Sequence, residues 1–457
     1  MAAEEEADHS TPPVGFVKTP FINVCHTSGL KITHINDNAT TLWPRPLAQT
    51  WTLMLLLVTC FLFWSRMAMP ICAVTLAKEF GWSKTETGVV LGAYFWGYCF
   101  TQVLGGHASD RIGGERVLLL STPSWAVMTA ITPLLANIGL RPLVTMTVSR
   151  FLLGAIQGVH YPSLVSVCAQ RVMEGERGFV MSTLACGCYL GMILVGCVGS
   201  LMLDWFGWES VFYGAGLLAL CWTFCVWKCL LQGPVFSLDS LWISNNCVPE
   251  STRINWLYLL REPSVWAMII SHLCFSSTYY TLMSWLPTFF KEMFPHAKDW
   301  VFNVIPWIVA LPTSLFGGSI SDHLIRQGCG TAAVRKVMQF CAMGAASVFI
   351  ILLCKTSSFV QAVACVSVAV GLSTFNNSGV SMNVHDVAPS CAGALFGVMN
   401  TCAAFTGLLM VCMSGYIIEI TDSWVTVFSV LAVVNIIGVT IFIVLGDAKR
   451  VDQPQII

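Results

Sequence analysis

The chain has 457 residues, of which 56% are hydrophobic and 10% charged, with a net charge of −1. An ordinary soluble domain carries roughly a quarter charged residues, so a water-soluble globule is excluded. The near-neutral balance also argues against a nucleic-acid binder.

Residues 1–49 are polar and broken by Pro12, Pro13, Pro20, Pro44 and Pro46, and they read as a disordered tail. From Trp51 uncharged apolar runs recur, at about 51–77, 87–107, 117–138, 142–168, 178–203 and 210–228. A polar segment follows at 232–263, and then six more runs at about 264–290, 300–320, 337–354, 357–383, 391–418 and 423–446. About 20 apolar residues cross a hydrocarbon core of about 30 Å, so the expectation is an all-α membrane protein with twelve transmembrane helices. Its organisation reads as a six-helix half at 50–231, a cytosolic central loop at 232–263, a six-helix half at 264–447 and a short tail at 448–457. Buried soluble core helices fail as an alternative, because no polar surface remains to clothe them.

Lysine and arginine set the orientation. Fifteen fall on the side of the termini and the central loop, six on the other side and two inside spans, which predicts cytosolic termini. The sequon Asn38-Ala39-Thr40 then lies on the side where glycosylation does not occur. The twenty cysteines are scattered through apolar runs without metal-ligand spacing, and read as small buried residues.

The halves share a signal. Gly106-His107-Ala108-Ser109-Asp110-Arg111 ends the second run and Gly318-Ser319-Ile320-Ser321-Asp322-His323 ends the eighth. One such copy is equally well read as a small-residue helix contact, but two in register point to a transporter built from repeats, with substrate held between them near mid-membrane.

Two arginines lie inside spans, Arg66 in the first and Arg150 in the fourth, and no aspartate or glutamate occurs in any of the twelve windows. Centring an arginine in a membrane costs about 2.5 to 3.5 kcal/mol or more. At 1.5 Å per residue, Arg66 lies about 16 Å and Arg150 about 12 Å from the same membrane face, so the two share a depth. The missing counter-charge can therefore come from a ligand. The bland alternative has an arginine snorkelling, or bonding carbonyls freed at Pro70 or Pro162.

Arg150, Gln157 and Tyr161 fall on one stripe of the fourth helix, beside Gly154 and Gly158. Tyr94-Phe95-Trp96-Gly97-Tyr98 adds an aromatic cluster that is more often packing than ligand cage. Asn303, Asn376, Asn377, Asn383 and Asn400 place amides in second-half spans, and Asn303, Asn376 and Asn400 are expected with Gln157 to line a cavity. His160 and His272 read as hydrogen-bonded packing residues.

The Gly106, Asp110, Arg111, Gly113 and Arg116 constellation resembles the loop signature of the major facilitator superfamily, with a decayed second copy at Gly318, Asp322 and Gly328. The resemblance implies the major facilitator fold and a cytosolic gating latch at Gly106, Asp110, Arg111, Arg116 and Asp322. Arg66 to Pro70, Phe95-Trp96-Gly97-Tyr98, Arg150 with Gly158 and Tyr161-Pro162, and Ala388-Pro389-Ser390-Cys391-Ala392-Gly393 are similar to its vesicular anion and phosphate transporter branch. Phe302-Asn303-Val304, Ser284 to Phe290, Ser321 to Ile325 and Thr374-Phe375-Asn376 resemble the vesicular nucleotide transporter group.

That resemblance implies loading of ATP, ADP and GTP into secretory or lysosome-like vesicles, driven by a potential that a proton-pumping ATPase maintains and stimulated by chloride. It carries substrate binding onto Arg150, Arg66, Tyr98 and Tyr161, with Arg66 a candidate for the chloride. Where glutamate-carrying members have histidine, glutamate and arginine, this chain has Leu91, Gln157 and Phe275, which weakens proton coupling and amino-acid recognition. No cofactor and no metal are expected, the partners are nucleotide anions and lipid bilayer without nucleic acid, and a monomer is expected. No lysine follows a glycine, so the phosphate-cradling loop of an ATPase is missing and ATP reads as cargo. The competing readings are a proton-coupled organic-anion or phosphate carrier, a non-transporting scaffold or receptor, and a membrane enzyme using His107 with Asp110 or His385 with Asp386.

Overall fold

The structure, a computed structural model, describes residues 43–138, 141–172, 177–228, 259–388 and 392–451. The expected disorder of the tail, the sequon and most of the central loop lie outside them.

Helix α1 spans Arg45–Phe80, so it starts inside the stretch read as tail. The reason is proline placement: Pro44 precedes the helix and Pro46 sits in its first turn, where no backbone N–H is needed. Gly81, at φ 68°, closes the helix by donating its N–H to the Ala77 carbonyl. Ser83 and Glu86 then form a reciprocal capping box at the start of α2, Lys84–Ile112. Next come α3, Gly114–Ile138, and α4, in two pieces at Pro142–Gln157 and His160–Arg171. The break falls where Pro162 withholds the N–H that the Gly158 carbonyl would otherwise accept.

Helix α5 runs from Arg177–Leu194 through a π-helical turn at Val195–Gly199 to Ser200–Phe206, and α6 spans Trp208–Val226. The second half repeats the plan with α7, Pro263–Met293, and α8, Asp299–Arg326. Helix α9 joins Thr331–Gln339 and Ala346–Leu353 through a π turn, and α10 joins Phe359–Ser373 and Val380–Val387 through a 3-10 turn at Thr374–Asn377. Helices α11, Ala392–Thr421, and α12, Trp424–Leu445, complete it. The fourth helix of each half is thus interrupted, as membrane carriers tolerate only where protein or water covers the freed backbone.

Twelve long helices are present among the described residues, and ten of them are apolar enough to cross a membrane by length and composition alone. The other two, α2 and α7, are long enough but carry polar side chains such as Gln102, His272 and Thr278, all buried. A helix can be this polar at membrane depth only when other helices shield it. Both are central: α2 packs along α11 and α4, and α7 along α11, α12 and α1.

The halves meet along α2 with α11, α5 with α8 and α1 with α7. Near the face that bears the α1–α2 turn, Lys84 pairs with Glu292, the Thr85 N–H donates to Glu419 at 2.7 Å and Asn303 donates to Ser200 at 3.1 Å. Deeper in, the Cys99 thiol donates to the Thr401 carbonyl at 3.5 Å. Tyr189 of α5 also hydrogen-bonds Ser314 of α8 and Asn377 of α10, so the halves are tied at more than one depth.

Candidate functional site

The centre is built by close helix packing. A Cβ at Gly154 of α4 would lie 2.9 Å from the Tyr94 carbonyl carbon and 3.0 Å from the Tyr98 nitrogen, and one at Gly97 of α2 would lie 2.7 Å from the Ala155 nitrogen. Only glycine permits that approach, and it carries Arg150, one turn before Gly154, against the aromatic face of α2.

Arg66 is 4% and Arg150 2% exposed. The Arg66 guanidinium carbon lies 4.8 Å from the Tyr94 ring centre, 5.1 Å from Tyr98, 5.3 Å from Phe95, 5.4 Å from Tyr280 and 5.5 Å from Phe63. Arg150 shares Tyr94, at 5.0 Å. Both cations therefore lie against π faces, each contact worth about 0.5 to 2 kcal/mol when desolvated.

No carboxylate among the described residues pairs with either guanidinium. The one hydrogen bond joining them runs from Arg150 Nη2 to the Arg66 backbone carbonyl, at 3.4 Å. That carbonyl is available because its usual helical partner four residues on is Pro70, which has no N–H. The bland alternative, an arginine bonding a freed carbonyl, is thus present, but for one long bond only. Nε and Nη2 of Arg66 and Nε and Nη1 of Arg150 are buried without a hydrogen-bond partner. Such groups are costly in a low-dielectric interior, and they are arranged as donors for oxygen acceptors.

A polar chain holds the ring that both arginines use. The Tyr94 hydroxyl donates to Gln157 Oε1 at 2.8 Å, Gln157 Nε2 donates to Ser65 Oγ at 3.1 Å, and Ser65 meets Thr129 at 2.7 Å. Gln157 is buried like the two arginines, and its hydrogen bond fixes Tyr94.

Of the other residues singled out in the sequence, Tyr98 joins the cage. Tyr161 does not lie over either guanidinium, because its hydroxyl meets Cys188 Sγ at 2.7 Å. Asn303 sits away from the arginines at the contact with Ser200, beside a void with room for roughly one water that is also lined by Met67, Ile71 and Trp307. Asn376 is 3% exposed and accepts from Gln339 within the second half, and Asn400 meets His272 at 3.2 Å. Neither reaches the arginines; each balances a polar neighbour in its own half. His160 is likewise held by Thr59 at 3.2 Å.

The reading of the sequence missed Tyr280, which arrives from the other half, and left Tyr94 and Phe95 as packing. The tandem Tyr279-Tyr280 inside an otherwise apolar run was the available signal.

The expected latch is only partly placed. Gly106 and Arg111 lie at the end of α2, the side chain of Asp110 is outside the described residues, and Arg116 is half-buried. Asp322 is exposed and joins no ion pair among the described residues. Among the described residues, the buried or half-buried charge pairs at that face include Arg171 with Glu115, at 2.5 Å, and Arg335 with Asp386, at 2.7 Å. Arg335 also donates to Ser321 Oγ and the Ser378 carbonyl, both at 3.0 Å, so Ser321 takes part where its neighbour Asp322 does not. The Asp386 carboxylate is thereby held by Arg335.

The sequence profile described as Major Facilitator Superfamily matches residues 54–411. The chain is 49% identical over 414 residues to the protein named Voltage-gated purine nucleotide uniporter SLC17A9 of Homo sapiens, covering 90% of this chain and 95% of that protein. It is 30% identical to the Ascorbate transporter, chloroplastic, of Arabidopsis thaliana, covering 90% and 77%. A crystal structure of a bacterial homolog to the human lysosomal transporter Spinster, inward-facing and occupied, superposes with a TM-score of 0.71 at 14% identity, covering 88% of this chain and 97% of that one. The E. coli xylose transporter XylE in an inward open conformation gives 0.66 at 13% identity, covering 86% and 95%. These relatives and the fold are those of transporters, not enzymes. The chain belongs to the Major Facilitator Superfamily, in the branch it shares with the purine nucleotide uniporters and the chloroplast anion transporters.

Proposed function

We propose that this chain is an electrophoretic carrier of purine nucleotides such as ATP, ADP and GTP, working by alternating access around Arg150 and Arg66. The observation that carries the reading is the pair of buried guanidiniums whose free N–H groups face no resident acid. Phosphate oxygens suit such forks, and an anionic cargo supplies the charge that the protein omits. The named activity of the 49% identical human relative supports the same class of cargo.

Magnitudes support potential as the driving force. One charge moved through 100 mV is worth about 2.3 kcal/mol, so a nucleotide with roughly three to four charges gains about 7 to 9 kcal/mol. His160 and His272 are engaged by neighbours within their own halves, which favours uniport over proton symport. In this reading the termini are cytosolic, as the basic residues predict, and the end of the interface that carries Lys84 and Glu292 faces the lumen of a secretory or lysosome-like vesicle. A proton-pumping ATPase supplies the lumen-positive potential, and chloride stimulates uptake at Arg66.

Uptake of labelled ATP by proteoliposomes, with a potential or a pH gradient imposed separately, tests this. Wild type should follow the potential, and Arg150→Ala should lower uptake about a hundredfold at equal protein content. Uptake that follows the pH gradient alone, or an unchanged Arg150→Ala rate, would overturn the proposal.

A further inference from the structure

The aromatic layer extends beyond the arginines into the second half, where it has no charge to hold. From residue 267 to 290, α7 is buried except at Ile270, Leu273, Phe275, Tyr279, Tyr280 and Leu282. Phe275 and Tyr279 are one turn apart and stacked, with ring centres 6.1 Å apart and an interplanar angle of 14°. The edge of Tyr279 is set by Trp307 at 6.4 Å and by Tyr280 at 5.9 Å. Leu282, on the same side of α7, lines the small central void, so this face looks into the protein.

Tyr280, which sets one edge of Tyr279, itself lies over Arg66 at 5.4 Å. Four of the nine tyrosines belong to this one layer by ring or cation contact: Tyr94, Tyr98, Tyr279 and Tyr280. That concentration exceeds what caging two guanidiniums requires.

Resting on the nucleotide reading above, we infer that the two halves divide the ligand, with Arg66 and Arg150 of the first half taking the phosphates and the Phe275–Tyr279 face of the second stacking the purine base. The spacing fits. The steps of 5.4 Å from Arg66 to the Tyr280 ring and 5.9 Å from there to the Tyr279 ring keep the platform within the reach from phosphates to base in an extended nucleotide. Every base offers a π face to an aromatic platform, and the larger purine offers more of it. The fixed pose of Tyr279 against three rings removes the entropy cost of ordering the platform on binding. A ligand bridging the halves would also couple its occupancy to their relative movement, as alternating access needs.

Potential-driven uptake of ATP by proteoliposomes, with inorganic tripolyphosphate as a competitor that lacks a base, tests the division. Tyr279→Leu should raise KM for ATP about tenfold, the loss of one stack, while the inhibition constant of tripolyphosphate stays at its wild-type value. Tyr279→Phe should restore the wild-type KM, which separates a stacking role from a general loss of packing. A Tyr279→Leu protein that loses ATP and tripolyphosphate recognition equally, or neither, overturns this inference and leaves the nucleotide reading standing. Wild type that takes up no nucleotide but responds to tripolyphosphate overturns both.

Discussion

Three arginines are almost fully buried among the described residues, and the two halves treat them in opposite ways. Arg335 of the second half, 5% exposed, has an acid, a hydroxyl and a carbonyl within 3.0 Å. Arg66 and Arg150 of the first half have π faces, one long bond between them and several N–H groups unused. A cation that serves the fold is given its counter-charge by the chain. Cations left unneutralised at the point where the halves meet are what the proposed anion cargo requires.

The contrast can be broken from either side. Asp386→Ala should have the largest effect on the fold, about 3 kcal/mol or more, because it strands the Arg335 charge in the interior. A detergent-solubilised thermal melt would show it, and a stability equal to wild type would mean that Arg335 needs no acid. Gln157→Glu probes the opposite half by giving the cage a resident carboxylate next to Tyr94. It should raise the melting temperature and lower potential-driven nucleotide uptake about tenfold, or about 1.4 kcal/mol. Increased uptake would show that the cage is not an anion site. Tyr94→Phe should do least: the ring over both arginines stays, while Gln157 Oε1 loses its donor, at a cost of about 1 kcal/mol. Its melting point should fall by a few degrees with KM changed less than about fivefold.

Much of the fold was legible because lipid imposes one rule on every span. Even α2 and α7 showed as helices, since their polar groups are uncharged within the spans and interrupt no apolar run for long. The helix start at Arg45 was less visible, because two prolines that elsewhere signal disorder here flank a first turn. At the site, Arg66 and Arg150 stood out by the same lipid rule. Tyr280 did not, because it meets Arg66 from more than two hundred residues away and no spacing on one helix encodes that contact. The amides were the opposite case: Asn376 looks like a cavity residue in an apolar run, yet the 3-10 turn at Thr374–Asn377 turns it into a network with Gln339. The decayed second motif misled similarly, since its serine rather than its aspartate carries the contact.

Pro70 gives the central arginines a consequence for turnover. By withholding a backbone N–H it lends the Arg66 oxygen to Arg150, so the arginine pair has a neutral acceptor in place of an acidic one. In the proposed carrier, an arriving cargo would displace a single long hydrogen bond, and its departure would restore it. Had nature placed an aspartate there, every cycle would begin and end with breaking an ion pair, and the carrier would trade speed for repose.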